Sequence, residues 1–455
     1  MKIAIIGYGE QGRCAYEYWR GPENQITICD QNDLSQQVPA EVDTQLGSNY
    51  LNDLHKFDLI VRSPGVHPNE IVDNNKEDPD ILNKVTTVTN EFFRVCPAPI
   101  IAVTGTKGKG TTSALISNIL QASGHRPILG GNIGTPPLDL LRNNIQQSDV
   151  VVLELANFQL IDLRYSPKIA VCLMVAPEHL DWHKDMHEYI TAKQQLFKHQ
   201  QPDNLAVYNA LNNYSEEVAS VSNAHKEVYE VPPEGENPID ARGAYVDGDL
   251  IKMEGQTICH VHDVALLGRH NLENVCAAIA ATWAITGANQ KAIKQTVKNF
   301  AGLPHRLEIV KQIKHVWYIN DSFGTTPETA IVAIKAFKQP KVLILGGSDK
   351  GSSYQELARE VVKSDIRHII AIGQTGPKIL QYIKSMSSAD KQIPATIIDE
   401  NSNMSNIVAT AAKYAKKGDV VLLSTACASF GMFANYKDRG EQFNQAVQAL
   451  AQAGK

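Results

Sequence analysis

A strand-like run, Ile101-Ala102-Val103-Thr104, leads directly into Gly105-Thr106-Lys107-Gly108-Lys109-Gly110-Thr111-Thr112, and a helical pattern follows from about Thr111 to Ala122. No other stretch restricts the fold as tightly, because strand, glycine loop and helix N-terminus in that order belong to a parallel α/β sheet. Glycines let successive backbone N–H groups converge, and the helix dipole favours negative charge, so the element makes a cradle for phosphates. Lys109 is placed to reach the β/γ-phosphates, and a hydroxyl just beyond it to hold Mg²⁺. The bland alternative, a glycine-rich turn with a chance lysine, leaves the flanking strand and helix unexplained.

At 455 residues the chain is too long for one hydrophobic core, and the length fits about three domains. Strand patterns at Lys2–Ile6, Gln25–Asp30 and Phe57–Arg62, with a helix at Gln11–Trp19, predict a first α/β unit over residues 1–96. Pro97 and Pro99 bracket a linker. The second unit, 97–303, carries the glycine loop, strands at Ile100–Val103, Val150–Glu154 and Ile169–Val175, a turn-rich stretch over Val231–Gln256 and a helix from about Asn274 to Thr286. The third, 304–455, has strands at Val316–Asn320, Lys341–Leu345, His368–Ile372 and Asp419–Leu423, with a helix at Pro327–Ala336.

The formal net charge of -6 argues against a nucleic-acid binder working through a broad basic face, but not against small anionic ligands. The apolar run at Met1–Ile6 is too short for a signal peptide, and Ile169–Ala176 is too short to span a bilayer, so a cytoplasmic chain without a membrane span is expected. The seven cysteines form no C-x-x-C pair, and several lie in apolar segments, as buried reduced thiols do.

Other residues invite chemistry. Glu154 ends a strand, where α/β sheets place their ligands. His179, His183 and His187 recur at spacing four, which suits either a zinc-binding helix face or a wet helical face. Gly7-Tyr8-Gly9-Glu10-Gln11-Gly12 after a strand, with Asp30 ending the next, meets the dinucleotide-binding pattern and by itself suggests an NAD(P)-dependent oxidoreductase or an NAD-sensing module.

The glycine loop resembles the G-T-x-G-K-[ST]-T element of the Mur ligases, with Gly110 where they usually carry Ser or Thr. The Gly-Lys-Gly form is similar to folylpolyglutamate synthases, an alternative that lacks the N-terminal nucleotide domain. Glu154 with Phe158-Gln159-Leu160, then His179-Leu180-Asp181-Trp182-His183, then Tyr189-Ile190-Thr191-Ala192-Lys193 resemble Mur elements in the same order. The usual Ser-Ser pair is Ala156-Asn157 here.

The resemblance implies three domains: a Rossmann-like N-terminal domain holding UDP, a P-loop central ATPase domain, and a Rossmann-like C-terminal domain holding the acceptor amino acid. ATP is expected on Gly105, Thr106, Lys107, Gly108, Lys109, Gly110 and Thr111, with Asn271, Arg306 and Asp321. Two Mg²⁺ ions are expected on Thr111, Glu154, His179 and a carbamylated Lys193. The UDP-linked substrate falls to Gly7, Gly9, Gly12, Ser63, Gly65 and Asn132. Asn132 also reads as a polar turn residue, Asn271 as a helix cap, and Arg306 as half of an ion pair with Glu308. The tail Ser424–Phe430 and Asn435–Phe443 resembles the D-glutamate-adding branch, with Thr325, Lys350, Ser429 and Tyr436 at acceptor positions. Phe323 stands where that branch usually has lysine, which leaves open how the acceptor is read. The implied reaction is ATP-dependent addition of glutamate to UDP-MurNAc-L-Ala through an acyl phosphate by a monomer, with Lys109, Glu154, His179 and Lys193 as the catalytic set.

Overall fold

A computed structural model describes every residue except Ile133, Lys350, residues 388–391 and 454–455. Lys350 therefore lies outside the described residues. Among the described residues the α/β alternation resolves into three sheets of five, nine and six strands.

The first sheet is all parallel, in the order Asp43–Leu46, Gln25–Asp30, Lys2–Ile6, Leu59–Arg62, Val85–Thr86. Its central strand is buried at Ile3–Ile6, which is why that run lacks polar alternation. In the second sheet the strand Ile100–Thr104 lies between Val150–Glu154 and Ile169–Cys172, with every residue of the three buried. The turn-rich stretch becomes three short strands at one end of the sheet: Ala244–Asp247 joins parallel to His225–Glu230, and Leu250–Met253 and Gln256–His260 follow antiparallel. The third sheet has parallel strands at Val316–Asn320, Val420–Leu423, Lys341–Leu345, Ile366–Ala371 and Ala395–Ile397. An antiparallel edge, Glu308–Ile313, completes it.

Several element bounds differ from the sequence reading. The helix expected from Thr111 begins at Lys109, with Gly108 as its N-cap, so Gly110 lies in its first turn. The helix expected from Asn274 spans His270–Thr282. The strand from Ile169 stops at Cys172.

The chain packs as two compact units, one comprising Met1–Val264 with His270–Phe300, the other Ala265–Arg269 with Ala301–Lys455. The first two sheets share the first unit for a physical reason. One apolar cluster runs from Ile3 and Phe92 through Leu138 to Ala102 and Leu153. Beside it the fully buried Arg62 guanidinium at the end of its strand pairs with Asp162, donating from Nε at 2.8 Å and from Nη2 at 2.7 Å. Arg62 also donates to the carbonyls of Val66 and Phe158 at 2.7 and 3.0 Å. No helix among the described residues is long and apolar enough to cross a membrane.

Removing Asp162 strands a buried guanidinium. Asp162→Ala is expected to lose about 3 kcal/mol of stability in urea unfolding, whereas a loss under about 1 kcal/mol would show the pair to be peripheral.

Candidate functional site

The glycine loop is shaped by close approach. Gly108 has φ +88°, and a Cβ there would stand 2.2 Å from Asn274 Oδ1, so another residue would be strained and would have to displace the Asn274 side chain. That asparagine braces the loop: Thr112 Oγ1 donates to Asn274 Oδ1 at 3.1 Å, and Asn274 Nδ2 donates to Asn271 Oδ1 at 2.7 Å. Asn271 thus lies within its helix and does not cap it. Thr106 Oγ1 meets the Ala176 N–H at 2.9 Å and the Tyr189 hydroxyl at 3.0 Å. Lys107, on the exposed rim, pairs with Glu178. Gly110 and Thr111 are buried in the first turn of the helix.

Lys109 and Lys193 converge on one atom. The Gly105 carbonyl accepts from Lys109 Nζ at 3.0 Å and from Lys193 Nζ at 3.3 Å. Lys109 also donates to the Thr106 carbonyl at 3.1 Å. Lys193 is 0% exposed and lies over the Tyr189 ring at 4.4 Å. Burial, reinforced by Lys109, pushes the Lys193 amine down to about 7, so a large neutral fraction exists near neutrality. A neutral amine is the form that adds to CO₂.

Glu154 lies beside the strand that feeds the loop, in register with Val103, and is 4% exposed. Its Oε1 accepts from Asn132 Nδ2 at 3.0 Å, while its buried Oε2 has no hydrogen-bond partner among the described residues. An orphaned buried carboxylate oxygen fits an oxygen-seeking cation such as Mg²⁺. The Asn132 backbone N–H also donates to the Glu154 carbonyl at 2.8 Å, so Asn132 orients Glu154 through both its groups.

The three histidines do not share a helix face. The helix begins at Met186, and His179 sits before it in a left-handed turn at φ +58° with its ring 4.8 Å from Phe158. Burial pulls both His179 and His183 below their ordinary value, which leaves His179 a lone pair for a metal. His183 is buried between Asn157 at 2.7 Å and Glu188 at 3.2 Å. Sequence reasoning missed both partners and also His67, the N-cap of the helix Pro68–Asn74, which meets Glu188. No local pattern signals these contacts.

In the first sheet a cavity of about 440 Å³ is lined by Gly7, Gly9, Asp30, Ser63 and Gly65, among others. Gly12 lies beneath it, where a Cβ would stand 1.9 Å from the Gly7 carbonyl oxygen. Ser63 Oγ donates to that same oxygen at 2.8 Å. Asp30 is held by its own neighbourhood. Its Oδ2 accepts from the Tyr8 N–H at 2.8 Å and its Oδ1 from the Asn32 N–H at 2.9 Å.

In the second unit, loops at the C-terminal ends of Val316–Asn320, Lys341–Leu345 and Val420–Leu423 collect the remaining candidates. Asp321 accepts from Ser424 Oγ at 2.7 Å and from the Leu307 N–H at 3.2 Å. The Arg306 guanidinium stacks over Phe323 at 3.6 Å, and the Phe323 ring meets Tyr436 edge-on at 5.1 Å. Glu308, the partner considered for Arg306, accepts from the His305 N–H at 2.8 Å and from Asn444 at 3.0 Å. A bridge between Ser348 and Ala428 sets the glycine loop of the Lys341–Leu345 strand beside buried Ser429. Thr325 is half-buried just before the helix Pro327–Lys335. Arg439, fully buried, ties these loops by donating to Ser322 Oγ at 2.8 Å and the Cys427 carbonyl at 3.0 Å.

Residues 103–282 match the family described as Mur ligase middle domain, and 305–427 that described as Mur ligase, glutamate ligase domain. The chain belongs to the Mur ligase family, and with it to the ATP-dependent amide ligases of peptidoglycan synthesis. It is 34% identical over 464 residues to the UDP-N-acetylmuramoylalanine–D-glutamate ligase of Clostridium tetani, covering 99% of this chain and 97% of that protein. The enzyme of the same name from Clostridium kluyveri is 36% identical over 453 residues, covering 98% and 96%. Among solved structures, MurF of Thermotoga maritima in complex with ADP shares the fold, with a TM-score of 0.58 at 17% identity over 88% of this chain and 90% of that one.

Burial drives the Asp321 carboxyl up to about 7 from an ordinary 3.8. Between those values the folded chain keeps a proton that the unfolded chain has lost, so this group's contribution to stability falls as pH rises from about 4 to about 7. Urea unfolding is expected to show that fall in the unaltered protein relative to Asp321→Asn. Parallel pH profiles of the two would contradict it.

Proposed function

We propose that this ligase joins D-glutamate to the carboxylate of UDP-N-acetylmuramoyl-L-alanine with cleavage of ATP to ADP and phosphate. The observation that carries the reading is the pair Lys109 and Lys193 on the Gly105 carbonyl at a glycine-lined helix N-terminus: Lys109 is placed for concentrated negative charge, and the buried Lys193 amine is held toward the neutral form that takes up CO₂. The choice of glutamate and of the UDP-linked acid rests on the two clostridial enzymes and on the tail Ser424–Phe443.

ATP is assigned to Gly105–Thr111, with Asn271, Arg306 and Asp321 from the family match. Lys109 leaves its carbonyls for the β/γ-phosphates and offsets their charge. Two Mg²⁺ ions, held by Thr111, Glu154, His179 and carbamylated Lys193, would offset the repulsion between triphosphate and substrate carboxylate. Asn132 keeps Glu154 aimed. A carboxylate oxygen of the substrate attacks the γ-phosphorus as the bond to ADP breaks, giving an acyl phosphate. The glutamate amine then attacks the acyl carbon, phosphate leaves, and the amine loses a proton. The UDP end is assigned to the cavity at Gly7, Gly9, Ser63 and Gly65, above Gly12. Thr325, Lys350, Ser429 and Tyr436 are assigned to glutamate, with Phe323 standing where this branch usually has lysine. We retain three functional domains, 1–96, 97–303 and 304–455, acting as a monomer in the cytoplasm.

ADP release is expected to require both UDP-MurNAc-L-Ala and D-glutamate, with L-glutamate and folate inactive. Lys193→Ala is expected to lose about 10²-fold in turnover and to regain part of it with added short carboxylates. Release independent of these substrates would reject the reading, and absence of rescue would count against the carbamate.

A further inference from the structure

Away from the phosphate loop, the ligand atoms of His67, His183 and Glu188 lie within 4.8 Å of one another. A divalent metal is one reading of such a set. The hydrogen bonds favour another. The Asn69 N–H donates to His67 Nδ1 at 3.1 Å, which puts the proton of a neutral ring on Nε2, 3.4 Å from Glu188 Oε2. His183 has the opposite tautomer. Its Nε2 accepts from the Asn157 amide at 2.7 Å, so its Nδ1–H faces the same Glu188 oxygen at 3.2 Å. The Lys184 N–H supplies a third donor at 2.9 Å. A metal needs lone pairs where both rings carry protons, whereas a carboxylate oxygen accepts from all three.

What this junction joins gives it meaning. His67 follows Ser63–Gly65 and caps the helix Pro68–Asn74. Its ring lies 4.4 Å from Trp182, whose indole N–H reaches the Gly65 carbonyl at 3.5 Å. Glu188 stands in the first turn of Met186–Lys198, the helix whose Tyr189 meets Thr106 and whose Lys193 reaches Gly105. The geometry points to Glu188 as a positioning residue that couples the loop holding the substrate's nucleotide end to the helix holding Lys193. This rests on the assignment of Ser63 and Gly65 to the UDP end. The carboxylate fixes the loop and the helix at one oxygen, so loosening either end releases the same constraint.

A double-mutant cycle tests it. Glu188→Ala and His67→Ala, singly and together, are compared with His67→Gln, whose amide nitrogen restores a donor near the position of Nε2. The readouts are UDP binding by calorimetry and KM for the UDP-linked substrate and for ATP. Each alanine variant is expected to weaken UDP binding and raise KM for the UDP-linked substrate about 10-fold, leaving KM for ATP within about twofold. The double variant is expected to be no worse than the worse single one, and His67→Gln to recover most of the loss. Effects that multiply, or an equal rise in KM for ATP, would overturn the coupling. So would one equivalent of Zn²⁺ bound by the unaltered protein and lost in Glu188→Ala. If Glu188→Ala does not fold, Glu188→Gln replaces it in the cycle under the same criteria. Failure of the unaltered protein to turn over UDP-MurNAc-L-Ala would defeat the functional reading instead, and the UDP-binding cycle still decides the coupling.

Discussion

Two amines share the carbonyl oxygen of Gly105, and the chemistry of the first unit depends on that crowding. Lys109 and Lys193 repel each other when both are charged, and Lys193 is wholly buried, so burial and its neighbour together favour the uncharged Lys193 amine. A polyanion relieves the repulsion from one side and loss of charge on Lys193 from the other. Glu154, with one oxygen aimed by Asn132 and the other without a partner among the described residues, supplies a complementary negative pole in the neighbouring strand. The site is thus built for ligands with charge of both signs, as a nucleotide triphosphate with its cations is.

The scaffold holds this arrangement through few points. Register fixes Val103 against Glu154, and Thr106, Ala176 and Tyr189 meet at one hydroxyl. Asn274 occupies the space that a side chain on Gly108 would take, so the loop's glycine and the brace from the helix His270–Thr282 specify each other. The Arg62–Asp162 pair then carries the end of a first-sheet strand onto the second sheet, which places the Gly7–Ser63 cavity and the glycine loop in one compact unit.

Local signals in the chain were readable. The glycine loop, the apolar strands that feed the sheets, and Glu154 at a strand end follow from pattern and spacing. Contacts between distant segments were not. Arg62 and Asp162 lie 100 residues apart, and nothing in either neighbourhood marks the other. The histidines at spacing four suggested one helical face, but a left-handed turn at His179 and the helix start at Met186 send His183 toward Glu188 and His67. Asp30 satisfied the dinucleotide pattern by position, yet backbone N–H groups of Tyr8 and Asn32 occupy both its oxygens, a local use that spacing does not reveal. Phe323 was visible as a departure from the branch pattern; its stacking with Arg306 was not.

A crystal structure with a non-hydrolysable ATP analogue and Mg²⁺ addresses the site most directly. The account predicts terminal phosphates within hydrogen-bonding distance of Lys109 Nζ, that amine withdrawn from the Gly105 carbonyl, and a divalent ion facing Glu154 Oε2. Nucleotide bound in the Gly7–Ser63 cavity, with Lys109 still on Gly105, would contradict it.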